Sequence, residues 1–494
     1  MPRNRVATVL LVTTMAALGT PVLASASAAP PLDWKLCKDV AKGWLPADDQ
    51  RTECAMVTVP VDYAHPDGRK IDIAISRQKA TDPAKRKGVV LLNPGGPGQA
   101  GIHEPRWLTD SQAAGIGVDH DLIGFDPRGV DYSADVACPP RPGDDAEPPS
   151  SLPDKEKARF VFERDAKVNR RCVAADPEFV RNLTTDNVAR DMDRIREALG
   201  EEKIGFYGVS WGTALGTAYR TLFDGRVDRM LLDSVMSPTF DMGAMDDAMI
   251  AAGEVTAHEF AAWIARYDGV YHFGVTQPAV LEALLKLRDE LTAHPRTVNG
   301  VKVDGETVKG YFAGPRREGA NSAKALAALR DGGTPAAAPA KGSRAGFGWD
   351  VTPQGQNTFQ QTAVLCNASE GPRDFETIWK RRTERIRAYP AVASPGFWDG
   401  RCAGWDLPVQ PWKFTKGTSP LQLAGHVYEP VTPIGWALAM RERIGGALLT
   451  IEDDHHGSLS SLPCASKAVE FFSTGKTSDD SCAGKPIPSP GVAG

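Results

Sequence analysis

Residues 203–217, KIGFYGVSWGTALGT, constrain the fold of this chain more than any other stretch. Residues 203–207 are an apolar, aromatic-rich run of strand length, and the small residues from 213 onwards are typical of a helix that packs against a sheet. Gly-x-Ser-x-Gly between a strand and a helix predicts a sharp, strained turn that exposes the hydroxyl of Ser210. We expect Ser210 to be a nucleophile, with an ordinary glycine-rich turn as the alternative.

Two further stretches occur in the order that such a nucleophile requires. Residues 89–101, VVLLNPGGPGQAG, predict a strand followed by a Gly/Pro loop, whose backbone N–H groups would stabilise an oxyanion. Residues 453–457, DDHHG, follow an apolar run near the C-terminus. Because serine precedes a late histidine, the chain order matches the α/β-hydrolase fold. We therefore expect an α/β protein with a doubly wound, mostly parallel sheet and a large helical lid insertion.

The hydrophobic pattern locates this insertion. Helical patterns dominate residues 240–390, and strand patterns return at 421–424 and 447–451. An independent second domain is disfavoured, because the last strands and the late histidine follow the helical block. The predicted parts are a signal peptide, the first part of the core, a mainly helical lid and the C-terminal part of the core: residues 1–28, 29–236, 237–400 and 401–494.

Local patterns predict individual elements within these parts. Residues 188–199 repeat apolar side chains at helical spacing, with Asp186 as the cap and Gly200 as the end of the helix. The Ala/Gly/Pro-rich residues 332–348 predict a mobile loop. Apolar or alternating runs predict further strands at residues 56–61, 70–77, 89–92, 122–125, 203–207 and 229–232.

The N-terminus has the pattern of a secretory signal peptide. Arg3 and Arg5 form a basic region, residues 6–23 are mostly apolar, and small residues at 24–28 offer a cleavage site. A membrane anchor is disfavoured because polar residues, glycine and proline interrupt the apolar run. We expect a secreted, extracellular protein with no membrane anchor after cleavage. The net charge of −5, without a basic stripe, argues against nucleic acid as a partner.

Eight cysteines in an exported chain predict disulfide bonds. Eight cysteines allow 105 connectivities, but their clustering along the chain favours pairing of each with its neighbour. Metal binding is disfavoured because the sequence lacks a C-x-x-C spacing. The predicted bridges are Cys37–Cys54, Cys138–Cys172, Cys366–Cys402 and Cys464–Cys482.

Several motifs together resemble a known family. NPGGPGQAG, DLIGFDPRGV, FYGVSWGTALG, YEPVTP and HHG are similar to motifs of the secreted tripeptidyl aminopeptidases of actinobacterial type. These are serine peptidases on the α/β-hydrolase fold and relatives of the proline iminopeptidases. The resemblance covers about residues 35–485 and is weakest across the lid. It implies that the chain uses no metal or organic cofactor.

The resemblance also implies site residues. It assigns Ser210 as the nucleophile and His456 as the base, and places Glu429 where the family usually has aspartate. The donors of the oxyanion hole are expected to be the backbone N–H groups of Gly96 and Trp211. Some relatives have a glutamate immediately before the nucleophile, which binds the free amino group of the substrate. Val209 stands at that position here.

The acid and the base each have an alternative candidate. Asp233 ends a predicted strand, from which some α/β-hydrolases present their carboxylate, and it is the alternative acid to Glu429. His455 is the alternative base, although it lies one residue away from the favoured position and is expected to face elsewhere. A metal site at residues 453–456 is disfavoured because adjacent side chains do not easily converge on one ion.

The predicted function is that of a secreted serine hydrolase. The resemblance favours an exopeptidase that releases short peptides from the N-termini of its substrates. An esterase or amidase on small acyl substrates is the alternative, because Val209 replaces the carboxylate that binds the amino group. A catalytically inactive binding protein is a third possibility, against which Ser210 and His456 argue.

Overall fold

A ten-stranded sheet organises the chain in the computed structural model, which describes residues 1, 31–298, 301–312, 314, 316–334, 357–392 and 398–490. Residues 2–28 of the predicted signal peptide and residues 335–348 of the predicted mobile loop lie outside the described residues. The strands of this sheet, together with a separate β8–β9 hairpin, are β1 (Lys35–Leu36), β2 (Glu53–Pro60), β3 (Lys70–Gln78), β4 (Val89–Asn93), β5 (Asp121–Phe125), β6 (Ile204–Val209), β7 (Val227–Asp233), β8 (Arg296–Val298), β9 (Val301–Val303), β10 (Leu421–His426), β11 (Ala447–Ile451) and β12 (Ser481–Cys482).

The strand order places the parallel part of the sheet around β6. The order is β1-β2-β3-β5-β4-β6-β7-β10-β11-β12. Pairs from β5 through β12 are parallel, whereas β1, β2 and β3 pair antiparallel with one another and β3 pairs antiparallel with β5. The carboxyl ends of β4, β6, β7, β10 and β11 therefore meet at one edge, where ligands bind in open α/β sheets. This topology confirms the predicted mostly parallel sheet.

Helices cover both faces of this sheet. The two faces of β4 show the division: Val89 and Leu91 belong to a core with helices α6 and α7, whereas Val90 and Leu92 belong to a second core with α2 and α16. The helices of the chain are α1 (Cys37–Val40), α2 (Glu104–Thr109), α3 (Ile116–Asp119), α4 (Asp154–Ala175), α5 (Pro177–Arg181), α6 (Thr185–Ala198), α7 (Trp211–Phe223), α8 (Met242–Arg266), α9 (Asp268–Tyr271), α10 (Gln277–Ala293), α11 (Gly305–Phe312), α12 (Gly319–Arg330), α13 (Thr358–Ala368), α14 (Phe375–Ala388), α15 (Ile434–Ile444) and α16 (Ala465–Thr474).

The segment between β7 and β10 is mainly helical, and part of it has a hydrophobic core of its own. Phe260, Trp263, Leu287 and Tyr311 belong to this core, which α8, α10, α11 and α12 build together. The hairpin of β8 and β9 is the strand structure that this segment contains within the described residues. The helices of this segment therefore bury apolar side chains against one another as well as against the sheet.

The structure corrects one local prediction and joins the cysteines as expected. The cap of α6 is Thr184, whose hydroxyl accepts a hydrogen bond from the Asn187 N–H at 3.2 Å, so Asp186 lies inside the first turn and is not the cap. Sequence reasoning missed the threonine because both residue types suit the position. Disulfides join Cys37 to Cys54, Cys138 to Cys172, Cys366 to Cys402 and Cys464 to Cys482.

Candidate active site

Ser210 lies in the turn between β6 and α7, in a backbone conformation that few residues adopt. Its φ of 58° and ψ of −127° are sterically costly for a residue with a Cβ. Backbone hydrogen bonds hold it there: the Ser210 N–H donates to the carbonyl of Asp233 at 3.0 Å, and its own carbonyl accepts from the Thr213 N–H at 2.8 Å. The strained turn predicted from Gly-x-Ser-x-Gly is therefore present.

Close backbone approaches explain the glycines around this turn. A Cβ at Gly212 would lie 2.7 Å from the carbonyl oxygen of Asn93, at the end of the neighbouring strand β4. A Cβ at Gly95 would lie 2.4 Å from the Val209 carbonyl oxygen and 2.8 Å from the Cβ of Ser210. Since real Cβ atoms do not come this close, the loop after β4 can rest on the Ser210 turn only with glycine at these positions.

The same loop lies against Ser210 and the start of α7. A Cβ at Gly95 would lie 3.0 Å from the backbone N of Trp211, which is the first residue of α7. The Gly95 N–H itself donates to the side-chain oxygen of Asn93 at 3.0 Å, so it is engaged within the loop. Gly96 follows, with a φ of 101°, and Gln361 donates to its carbonyl at 3.4 Å. The structure thus brings the predicted donor segments, around Gly96 and Trp211, to one place.

His456 contacts a carboxylate through one ring nitrogen. Its Nδ1 forms a short hydrogen bond with Oε1 of Glu429, and both side chains are fully buried. The same Oε1 accepts from the N–H and the hydroxyl of Thr432, at 2.9 and 2.7 Å. Burial by itself raises the pKa of Glu429, but His456, His426 and these hydrogen bonds outweigh it and lower the pKa to about 2. Glu429 is therefore a carboxylate at neutral pH.

Ser234 links Glu429 to the loop that carries His456. Its hydroxyl donates to Oε2 of Glu429 at 2.8 Å and accepts from the Gly457 N–H at 2.8 Å. Ser234 follows β7 directly and has a φ of 55°, a left-handed conformation that turns its side chain out of the strand direction. One hydroxyl therefore fixes the carboxylate and the residue after the histidine relative to each other.

The structure places Asp233 away from His456. Its Oδ1 lies 2.8 Å from Nε2 of His426, and its Oδ2 accepts from the Leu459 N–H at 3.3 Å. The second ring nitrogen of His426 lies 2.6 Å from Oδ1 of Asp453. Burial disfavours a charge on His426, but the two carboxylates outweigh it and hold its pKa well above the usual value. The alternative acid thus belongs to a second histidine–carboxylate group.

His455 faces a different environment from His456. Its Nδ1 contacts the guanidinium of Arg317 from the segment between β7 and β10. Burial and the charge of Arg317 lower the pKa of His455 to about 4, so it is neutral at neutral pH. No described carboxylate is hydrogen-bonded to this ring, in contrast to His456.

A cavity of about 180 Å³ opens beside His456. It lies at the carboxyl ends of the parallel strands, and Val209, the residue before Ser210, lines it together with His456. Its further lining residues are Leu92, Asn93, Glu104, Trp107, Leu108, Ser111, Tyr207, His455, Gly457, Ser460 and Ser461.

Sequence reasoning missed three residues of this region: Ser234, His426 and Glu104. His426 and Ser234 lie directly at the ends of strands that converge on the site, which is the signal that points to them. Glu104 lies beyond the Gly/Pro loop, in a stretch without a motif. Within the described ranges, no three His, Cys, Asp or Glu side chains are arranged to hold a metal ion, and no helix there has the length and hydropathy of a membrane span.

Comparisons with known proteins agree with this architecture. The family model described as alpha/beta hydrolase fold matches residues 88–275, and the model described as TAP-like protein matches residues 389–482. The chain is similar to a tripeptidyl aminopeptidase of Streptomyces lividans, at 32% identity over 96% of this chain and 90% of that protein. It is 36% identical to the serine protease Hip1 of Mycobacterium tuberculosis over 38% of this chain and 36% of that protein.

A third relative carries a different name. Carboxylesterase B of Mycobacterium tuberculosis is 26% identical over 92% of this chain and 89% of that protein. The match to the Streptomyces enzyme has the higher identity of these two and covers slightly more of both chains. With its α/β-hydrolase fold and this relationship, the chain is a serine hydrolase that belongs to the tripeptidyl aminopeptidase family.

Proposed function

We propose that this protein is a secreted exopeptidase that releases short peptides from the N-termini of its substrates. Ser210, His456 and Glu429 form its catalytic triad in this proposal. The observation that carries it is the buried Glu429–His456 hydrogen bond at the carboxyl edge of the sheet, next to the strained Ser210 turn. The peptidase names of its relatives favour peptides as substrates.

The proposed mechanism follows from these contacts. His456 takes the proton of Ser210 as the hydroxyl oxygen attacks the carbonyl carbon of the scissile bond. Glu429 fixes the ring tautomer through Nδ1 and stabilises the imidazolium that forms. The N–H groups of Trp211 and Gly96 stabilise the oxyanion. His456 then donates its proton to the leaving amine, and water hydrolyses the acyl-enzyme by the same route in reverse.

We propose that residues 237–400 act as a lid over this site. Contacts from this segment reach both loops of the catalytic centre: the Asn357 N–H donates to the carbonyl of Gly98 at 2.9 Å, and the Arg316 N–H donates to Oδ2 of Asp454 at 2.7 Å. A segment that touches the oxyanion loop and the histidine loop together can restrict which substrates enter.

Secretion is supported by the four disulfides. Bridges of this kind persist in oxidising compartments and are rare in the cytosol. The basic and apolar pattern of residues 1–28 supplies the export signal in this proposal.

An esterase acting on small acyl groups is the second candidate. Val209 favours it, because no carboxylate stands immediately before the nucleophile to bind an amino group. The relative named carboxylesterase B points the same way. Acyl transfer to water is chemically the same in both cases, so the leaving group and the binding of the acyl part decide between them.

The triad is tested with Ser210→Ala. This change removes the attacking oxygen, and we expect labelling by a fluorophosphonate and turnover to disappear while the melting temperature changes little. Ser151→Ala, in an exposed loop, is the matched control and should label like the wild type. Labelling that persists in Ser210→Ala would refute the nucleophile assignment. Peptide p-nitroanilides with one to four residues, measured beside p-nitrophenyl acetate, test peptidase against esterase activity.

A further inference from the structure

Glu104 is a buried carboxyl group in the cavity beside His456. It is the first residue of α2, and only 6% of the residue is exposed to solvent. Its Oε1 has no hydrogen-bond partner among the described residues. Burying such a group without a partner is costly, so its presence calls for a ligand or another explanation.

Among the described residues that line the cavity, none supplies Glu104 with a lysine or arginine partner. The cavity is lined by apolar side chains, hydroxyl groups, one amide and the two histidines, and no lysine or arginine is among them. Burial raises the pKa of Glu104 well above its ordinary value, because no nearby positive charge offsets the loss of water. A cation that enters the cavity would therefore favour the carboxylate form of Glu104.

The side-chain amide of Asn93 is a second buried polar group with an atom that lacks a hydrogen-bond partner among the described residues. Oδ1 of Asn93 accepts from the Gly95 N–H, which fixes the orientation of the amide, and its Nδ2 has no partner among the described residues. Asn93 and Glu104 both line the cavity. Together they offer one group that pairs with a cation and one N–H donor. An N-terminal residue of a peptide carries the matching pair, an ammonium group and a carbonyl oxygen.

We infer that Glu104 binds the free amino terminus of the substrate, with the Asn93 amide donating to a carbonyl of the same N-terminal segment. This inference rests on the proposed exopeptidase function and names its specificity-determining residue. Val209 lines the cavity with Glu104, so a carboxylate supplied from α2 reaches the space next to position 209. Although Val209 stands where some relatives have a glutamate, the protein can then still recognise an amino group.

Binding of a substrate amine also affects the protonation of Glu104. A substrate amine is protonated at neutral pH, since the pKa of an α-amino group is about 8. When the ammonium enters, it forms an ion pair with the carboxylate form of Glu104, and a proton held by this acid is released to water. An acetylated amino terminus has no charge, so it forms no ion pair with Glu104. The enzyme should therefore discriminate between a peptide and its N-acetyl form.

The test compares each substrate with its N-acetyl form, and both are measured with the same preparation of each enzyme variant. Ala-Ala-Ala-p-nitroanilide, Ala-p-nitroanilide and the N-acetyl form of each are assayed with the wild type and with Glu104→Gln. We expect the wild type to prefer a free amine, and Glu104→Gln to reduce the ratio of kcat/KM values for free and acetylated substrate roughly 10- to 100-fold, mainly through KM. A ratio measured within one preparation is independent of the fraction that folds.

Controls and outcomes separate this inference from the proposed function. Glu202→Gln, at an exposed position, should keep the wild-type ratio, and Glu104→Asp should restore part of it. A wild type that cleaves free-amine peptides preferentially, with Glu104→Gln unchanged in its preference, would overturn the role of Glu104 alone. A wild type that cleaves only p-nitrophenyl acetate, or that cleaves acetylated peptides equally well, would overturn the exopeptidase proposal and this inference with it.

Discussion

Two buried histidines lie near the carboxyl edge of the sheet, and each contacts carboxylates in a different way. His456 contacts Glu429 through Nδ1 and lines a cavity together with Val209, the residue before Ser210. His426 is bonded by Asp453 through Nδ1 and by Asp233 through Nε2, and it is completely buried. A general base needs a ring nitrogen that can accept a proton from the nucleophile. Both nitrogens of His426 are committed to carboxylates, which suits a structural cation and excludes it as the base.

The two groups also differ in what surrounds their carboxylates. Hydrogen bonds from Thr432 and Ser234 orient Glu429 toward the histidine loop. The carboxylate of Asp453 instead accepts from the hydroxyl of Ser458, and that of Asp233 accepts from the N–H of Leu459. Both donors follow His456 closely in the chain. In the proposed mechanism the two neighbouring histidine–carboxylate groups have different roles: Glu429 orients the reactive ring of His456, and the His426 group holds the loop that carries this ring.

The largest difference between the two groups should appear in catalysis. Glu429→Gln removes the carboxylate that fixes the tautomer of His456, and we expect kcat to fall on the order of 10⁴-fold. Asp233→Asn should leave most of the activity of the folded protein, because Asp233 does not contact His456. Steady-state kinetics on one p-nitroanilide measures both variants. If Asp233→Asn lost activity on this scale and Glu429→Gln did not, the acid would have to be reassigned.

The His426 group should matter more for the free energy of unfolding than for catalysis. His426→Leu leaves Asp233 and Asp453 buried without their cation, and we expect the free energy of unfolding to fall by about 3–5 kcal/mol. A triple variant with His426→Leu, Asp233→Asn and Asp453→Asn removes all three charges and should lose less. Urea unfolding with the disulfides intact measures both. A triple variant that is less stable than His426→Leu would contradict the description of this group as a buried ion cluster.

The smallest expected effect is a pH dependence of stability. The folded state raises the pKa of His426 above its unfolded value of about 6.5, so its contribution is complete below that pH and is lost as the pH rises through the folded value. Above pH 6.5, this contribution should decline by at most about 1.4 kcal/mol per pH unit until the folded pKa is reached. Unfolding of the wild type and the triple variant between pH 6 and 9 tests this. Parallel curves for the two proteins would mean that His426 is neutral in the folded state.

The central strands could be predicted from the sequence because their burial leaves a local record. Strands β4, β5 and β6 are buried along their whole length, and a mostly apolar run marks each of them in the sequence. The short strands β1 and β12 have two residues each, too few for any pattern to stand out. The hairpin of β8 and β9 was missed for the same reason.

The candidate site divides in the same way. Ser210 was predictable because its turn requires glycines at fixed spacing, a steric demand that local sequence must meet. Glu429 was favoured over Asp233 by resemblance, whereas their positions did not separate them, because Asp233 ends β7 and Glu429 lies shortly after β10. Glu104 had no local signal, because what distinguishes it is the set of distant side chains around it.

The sequence by itself determined the order of the strands along the chain, the Ser210 turn, the position of the late histidine and the sequential cysteine pairs. Each depends on residues within one element or on neighbours along the chain. The tertiary structure alone decided which carboxylate meets which histidine and which buried acid faces the cavity. These choices depend on where β7, β10 and the loop after β11 converge, and on burial, which sets the charge of each group through contacts distant in sequence.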